Sequence, residues 1–191
     1  MIKELAIKSR SYRRFFEEKP VDKEVLTQLV ELARYCPSAR NVQPLKFITS
    51  CNGDLNAKIF PLLAWAGYLK DWNGPEPGER PSAYIIILED SDIATSSLWD
   101  QGIVSQTMLL AATEMGLGGC IIGSVRKEPM AELLQLPANL KITLVIALGY
   151  PKEQVQIDPL PQNGSIHYWR DGNQTHHVPK RDLKELLVKS Y

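Results

Sequence analysis

Three short stretches of the chain gather groups suited to holding an anion against a flat polar ring. Arg10-Ser-Tyr-Arg-Arg14 places three guanidinium groups and a hydroxyl within five residues, enough to clamp a phosphate through charge and paired hydrogen bonds. Pro37-Ser-Ala-Arg-Asn-Val-Gln-Pro44 sets small and amide side chains in a constrained loop, where backbone groups can approach a ring edge. Gly116 to Gly123 is glycine-rich and leaves N–H donors unobstructed. Taken singly, the first reads as a solvated basic run, the second as a loop and the third as a tight turn.

More familiar chemistries fail on spacing. Gly116-Leu-Gly-Gly-Cys-Ile lacks the third glycine of GxGxxG, and neither GxxxxGK[ST], HExxH nor GxSxG occurs. His167, His176 and His177 have no cysteine or acidic neighbours at zinc-ligand spacing, so no metal is expected, and all three read as solvated tail residues. Cys36, Cys51 and Cys120 fit neither a disulfide framework nor a CxxC pair and read as reduced, mostly buried thiols.

The elements that must position these groups follow from composition and period. The 191 residues carry 22 Lys and Arg against 22 Asp and Glu, with 44% hydrophobic residues, which excludes a disordered chain and a strongly basic nucleic-acid binder. No apolar run approaches membrane-spanning length, and the charged start is unlike a signal peptide. The chain therefore reads as one cytoplasmic domain over residues 1–191, without a nucleic-acid or membrane partner. Asp22 caps an expected helix reaching Tyr35, stopped by Cys36-Pro37. Leu45–Cys51 reads as a strand, and Asp54–Trp65 as a helix broken at Pro61. Ala83–Glu89 and Ile142–Leu148 are unbroken apolar runs, the pattern of central strands covered by helices on both faces. Between them, Leu98–Met115 predicts a long helix, either central or in a subunit interface. Cys120–Gly123 reads as a short strand or edge, Pro129–Gln135 and Asp182–Lys189 as helices, 157–175 as a turn-rich tail, and 73–81, with three prolines, as a mobile flap.

Taken in order, R-S-Y-R-R-F, P-S-A-R-N-V-Q-P, G-L-G-G-C-I-I-G and the terminal H-V-P-K-R-D-L resemble the FMN-dependent nitroreductase superfamily from about Ile7 to Leu187. Ala66-Gly-Tyr-Leu-Lys-Asp-Trp and His167-Tyr-Trp-Arg-Asp-Gly further resemble a subgroup of small bacterial and archaeal members. The resemblance implies an α+β fold: a three-layer α/β/α sandwich whose central mixed, mainly antiparallel sheet is flanked by helices. It also implies an intertwined homodimer with two FMN sites at the interface, each built from both chains. Its pattern selects Arg10, Ser11, Tyr12, Arg13 and Arg14 for phosphate, ribityl and pyrimidine contacts. Pro37, Ser38, Ala39, Asn41 and Gln43 would lie along the ring system from the partner, and Ile121, Ile122, Gly123 and Ser124 would present N–H groups near N5 and O4. Lys180 and Arg181 would return to the phosphate. Arg13 is the first candidate for a cation near N1, followed by Lys70 and Arg80. Ser9 stands where many relatives carry a second arginine, and Arg40 stands where a small residue is usual.

The implied activity is ping-pong hydride transfer from the co-substrate NAD(P)H, through FMN, to a small acceptor such as a nitroaromatic or quinone, with no side chain required as acid or base. Alternatives within the fold are dehalogenation or flavin fragmentation. A different class is a non-catalytic FMN store or sensor, whose ring face would be capped by Trp65, Tyr68 or Trp72.

Overall fold

The two long apolar runs become the middle of an antiparallel sheet. In the computed structural model, which describes residues 2–94, 96 and 99–191, β2 (Ala83–Asp90) pairs with β4 (Leu140–Gly149). β1 (Leu45–Ser50) adds to the free side of β2, and β3 (Gly118–Ile122) to the free side of β4, giving the order β1-β2-β4-β3. Every pair is antiparallel, and a single parallel bridge from Ser11 to Gly119 on the outer edge of β3 makes the sheet mixed.

Alternation along β2 explains the three layers. Ala83, Ile85 and Ile87 pack with Ile146 and Leu148 against α2 (Lys23–Ala33) and α4 (Asp100–Glu114). Tyr84, Ile86 and Leu88 face the other way, toward α3 (Gly53–Ile59), a 3-10 turn at 60–62 and α5 (Lys127–Leu133). Successive side chains point to opposite faces, so a strand that is apolar at every position needs a cover on both.

Local signals set the helix ends. Asp22 precedes α2 in extended conformation but its side chain makes no cap hydrogen bond, and the helix ends at Ala33, short of the expected Tyr35; Pro61 converts the end of the predicted 54–65 helix into the 3-10 turn. Leu98, the expected start of the long helix, lies outside the described residues. Two elements are additions to the sequence reading: an N-terminal α1 (Ile2–Lys8) lying against α4, and a small sheet of β5 (Val155–Pro159), β7 (His176–Lys180) and β6 (Trp169–Arg170). β5 and β7 run parallel: β5 overlaps the start of the 157–175 stretch that reads in sequence as turn-rich, and β7 follows its end. The last helix, α6, covers only Leu183–Leu186.

The 73–81 segment is an anchored loop rather than a free flap. Glu79 receives Arg14 Nε at 2.5 Å and Lys152 Nζ at 3.1 Å, and these cations hold its carboxyl down to about 2. Glu17 accepts the backbone N–H groups of Gly78 at 2.5 Å and Arg80 at 3.1 Å.

Gly119 sits where β3 meets α4. A Cβ there would stand 2.6 Å from Leu109 Cδ2 and 2.8 Å from the Ala147 carbonyl oxygen. Gly119→Ala is therefore expected to lower stability by about 1–3 kcal/mol, read from the urea midpoint; wild-type stability would mean that β3 moves aside freely.

Candidate functional site

The Arg10–Arg14 segment runs along the open edge of β3. Tyr12 N–H donates to the Gly119 carbonyl at 3.0 Å, so that carbonyl points away from β4. Strand alternation then turns the N–H and C=O of Ile121 outward as well. Into the same space projects Arg13, which donates to the Ser11 carbonyl at 3.2 Å and lies 5.1 Å over the Tyr168 ring. Arg13, Trp65, Ala66, Gly67, Tyr168 and the 120–124 backbone enclose about 240 Å³. Among the described residues the buried Trp65 Nε1 has no hydrogen-bond partner; Arg10, whose Nε is also unpartnered, does not border this cavity. Arg10 Nη2 is held by the Ala6 carbonyl at 2.6 Å.

Sequence reasoning missed the groups that hold this corner together. The Glu153 side chain is fully buried and accepts the backbone N–H groups of both Arg13 and Arg14, while Arg170 Nη2 reaches its other oxygen at 2.9 Å. Arg170 in turn lies 4.2 Å over Trp72. His176, expected in solvent, is 1% exposed. Its Nε2 stands 3.3 Å from Arg13 Nη1, a contact in which an uncharged imidazole accepts. Burial, with Arg13 and Arg170 alongside, pulls His176 down to about 4. His177 is also no tail residue: its Nδ1 is 2.6 Å from Asp158, a hydrogen bond that raises its pKa with help from Asp171. His167 alone is exposed, stacked on Tyr68 at 4.2 Å.

These adjacent histidines pull stability in opposite directions. His176 binds its proton more readily unfolded than folded, so its contribution is complete above the ordinary 6.5 and declines as pH falls toward about 4. His177 binds its proton more readily folded, so its contribution is complete below 6.5 and is lost as pH rises through its raised value. Urea midpoints measured from pH 4 to 9 are expected to lose their alkaline decline in His177→Gln and to flatten on the acid side in His176→Gln.

The remaining predicted residues are placed apart from this cavity. Pro37, Ser38 and Gln43 border a second cavity of about 370 Å³ on the α2/α4 side of the sheet, with Ala39 and Asn41 in the 3-10 turn between them. Asp100 holds that loop, accepting Ser38 Oγ at 2.5 Å and Ala39 N–H at 3.0 Å. Arg14 is engaged by Glu79. Lys180 is exposed four residues beyond His176, about 13 Å along β7, and Arg181 pairs with Glu185 at 3.0 Å. Arg80 stacks over Phe60 and Lys70 is exposed; neither borders the Arg13 cavity. Trp65 belongs to the core and to the cavity wall at once. Of the thiols, Cys120 is buried, Cys36 half-buried and Cys51 exposed, a correction to the expectation of mostly buried cysteines.

The sequence profile of the nitroreductase family matches residues 7–150. The chain belongs to the nitroreductase family. A relative from Methanothermobacter thermautotrophicus, provisionally named NADH dehydrogenase/NAD(P)H nitroreductase, is 30% identical over 168 residues, 85% of this chain and 84% of its own. The FMN reductase [NAD(P)H] of Bacillus subtilis is 26% identical over 209 residues, covering 94% of this chain and 80% of its own. A solved nitroreductase family protein from Streptococcus pneumoniae superposes with a TM-score of 0.67 at 22% identity, covering 85% of this chain and 97% of that one, and so shares the fold. The nitroreductase match stops at Tyr150, short of Glu153, Tyr168 and His176, which brace Arg13. No helix among the described residues is long and apolar enough to cross a membrane, and no cluster of metal-ligating side chains occurs among them.

Proposed function

We propose that the chain is a single FMN-binding domain that works as an NAD(P)H-dependent oxidoreductase on a small acceptor such as a nitroaromatic or quinone. The observation that carries this reading is the meeting of Arg13 with the outward backbone edge of β3 in one cavity walled by Trp65 and Tyr168. The residues fit a flavin. Its phosphate finds the Arg13 guanidinium on the cavity wall. Its ring edge finds the outward N–H of Ile121 and, past the end of β3, the backbone at Gly123 and Ser124, and Gly123 has space for close approach, since a Cβ there would meet nothing nearer than Leu144 Cδ2 at 3.7 Å. Held by Arg13 and the outer edge of β3, FMN would supply the two-electron chemistry that links NAD(P)H to the acceptor in two separate half-reactions.

The chain's own contribution is positioning and electrostatics. Arg13, braced by Glu153 and His176, offers a fixed positive charge toward the cavity. Tyr168 and Trp65 exclude water from its wall. A volume of about 240 Å³ falls below the roughly 300–1,000 Å³ of complete small-molecule sites. The Pro37–Gln43 loop lies across the sheet. Both facts favour a homodimer in which a second copy completes the site, with Lys180 and Arg181 reaching the phosphate in that assembly.

The test is direct: incubate with FMN, desalt, record the visible spectrum, then add NAD(P)H without oxygen. A retained band that bleaches supports the oxidoreductase, a band that stays yellow favours storage, and no band overturns the assignment. Sedimentation should give twice the 21.5 kDa chain mass. Arg13→Met should weaken FMN binding at least about ten-fold, through loss of charge-assisted hydrogen bonds, measured by fluorescence titration.

A further inference from the structure

A second polar cavity, which the flavin site does not use, opens on the α3 side of the sheet near the start of β2. It has a volume of about 370 Å³. Three buried polar atoms on its lining residues, Arg80 Nε, Ser82 Oγ and Tyr84 OH, have no hydrogen-bond partner among the described residues. Tyr84 is wholly buried, and burial pushes its phenol well up, so it is a neutral O–H donor at every pH the protein meets. Buried donors are rarely left unpaired; these three lie behind the cavity wall without accessible surface of their own, and an acceptor-rich occupant reaches them once the wall side chains turn aside.

The walls narrow its chemistry. Arg80 carries the positive charge and lies 4.4 Å over the Phe60 ring, while its backbone N–H is fixed by Glu17. A guanidinium with two hydroxyls matches a carboxylate. Phe60, Pro20 and Pro81 supply apolar faces for a short carbon body. Glu17 and Glu18 also border the space and oppose a second negative charge, which disfavours a phosphate dianion. We infer that this cavity, framed by Arg80, Ser82 and Tyr84, binds a small monocarboxylate separately from the Arg13 site.

The experiment uses the FMN-loaded protein with tyrosine labelled at Cζ, titrated with isobutyrate, and with isobutyramide and inorganic phosphate as controls. Isobutyrate is expected to shift the Tyr84 resonance saturably while the flavin band stays unchanged; phosphate should give no shift and the amide a much weaker one. Tyr84→Phe should weaken isobutyrate binding about ten-fold or more, and Arg80→Gln should abolish it. Without carboxylate, Tyr84→Phe should melt no lower than wild type, because it removes an unpaired hydroxyl, and wild type should gain on it only when isobutyrate is added. The inference is overturned if the shift does not saturate, if the flavin band moves in step with it, or if a crystal grown in isobutyrate shows ordered water or a second copy of the chain against Tyr84 OH. Its failure leaves the flavin assignment standing, since FMN retention is read independently.

Discussion

Glu153→Ala is expected to lower stability by about 3–5 kcal/mol, the cost of leaving a buried charge without its partner, and to abolish FMN retention with it. The Glu153 side chain is fully buried and that of Arg170 is 10% exposed, so water reaches neither well. Losing the carboxylate strands the Arg170 guanidinium beside Arg13 and leaves the backbone N–H groups of Arg13 and Arg14 without their acceptor. Those two N–H groups set the path of the basic segment along β3, so the site comes apart with the local fold. Glu153→Gln keeps one acceptor oxygen and should cost less, about 1–3 kcal/mol. Adding Arg170→Met to Glu153→Ala should recover part of the loss by removing the stranded charge. Urea unfolding checks all three; a loss under about 1 kcal/mol in Glu153→Ala would mean that solvent replaces the carboxylate.

The same contacts explain what the sequence conceals. Arg13 and Glu153 are 140 positions apart, and Arg13 and His176 are 163 apart; no period or motif encodes pairs so distant. By contrast, the segments offered to the ligand are short and contiguous, because an anion site needs adjacent donors, and so Arg10–Arg14 and Ile121–Ser124 are visible as local patterns. The central strands are equally legible, since a strand covered on both faces must be apolar throughout. The small β5-β7-β6 sheet carried a weaker signal: Val155-Gln-Ile-Asp alternates with period two, but Pro159 and the polar residues after it make the stretch read as turns. The burial of His176 is hidden for a related reason. Exposure is the usual state of a histidine in a polar tail, and only the fold of β7 over Arg13 removes His176 from water.

The loop from Pro37 to Gln43 gives the sharpest test of how the site is assembled. Arg40, Asn41 and Gln43 have φ of 51°, 58° and 54°, left-handed conformations that each cost energy for a residue with a side chain. Something must hold them, and Asp100 is the group in place: 4% exposed, it accepts Ser38 Oγ and Ala39 N–H, while Ser38 Oγ itself accepts Gln43 N–H at 2.8 Å. The strained turn is thus closed by one carboxylate at the start of α4. Asp100→Ala removes two charge-assisted hydrogen bonds and lets the turn relax, at an expected cost of about 2–4 kcal/mol. The loop does not border the Arg13 cavity of its own chain, so its effect on flavin separates two assemblies. If a second copy brings this loop to the ring system, FMN affinity should fall at least ten-fold at temperatures where the variant is still folded. If each chain binds flavin alone, fluorescence titration should give the wild-type affinity for the folded variant, and the loop's strain would serve only the α2/α4 side of the sheet.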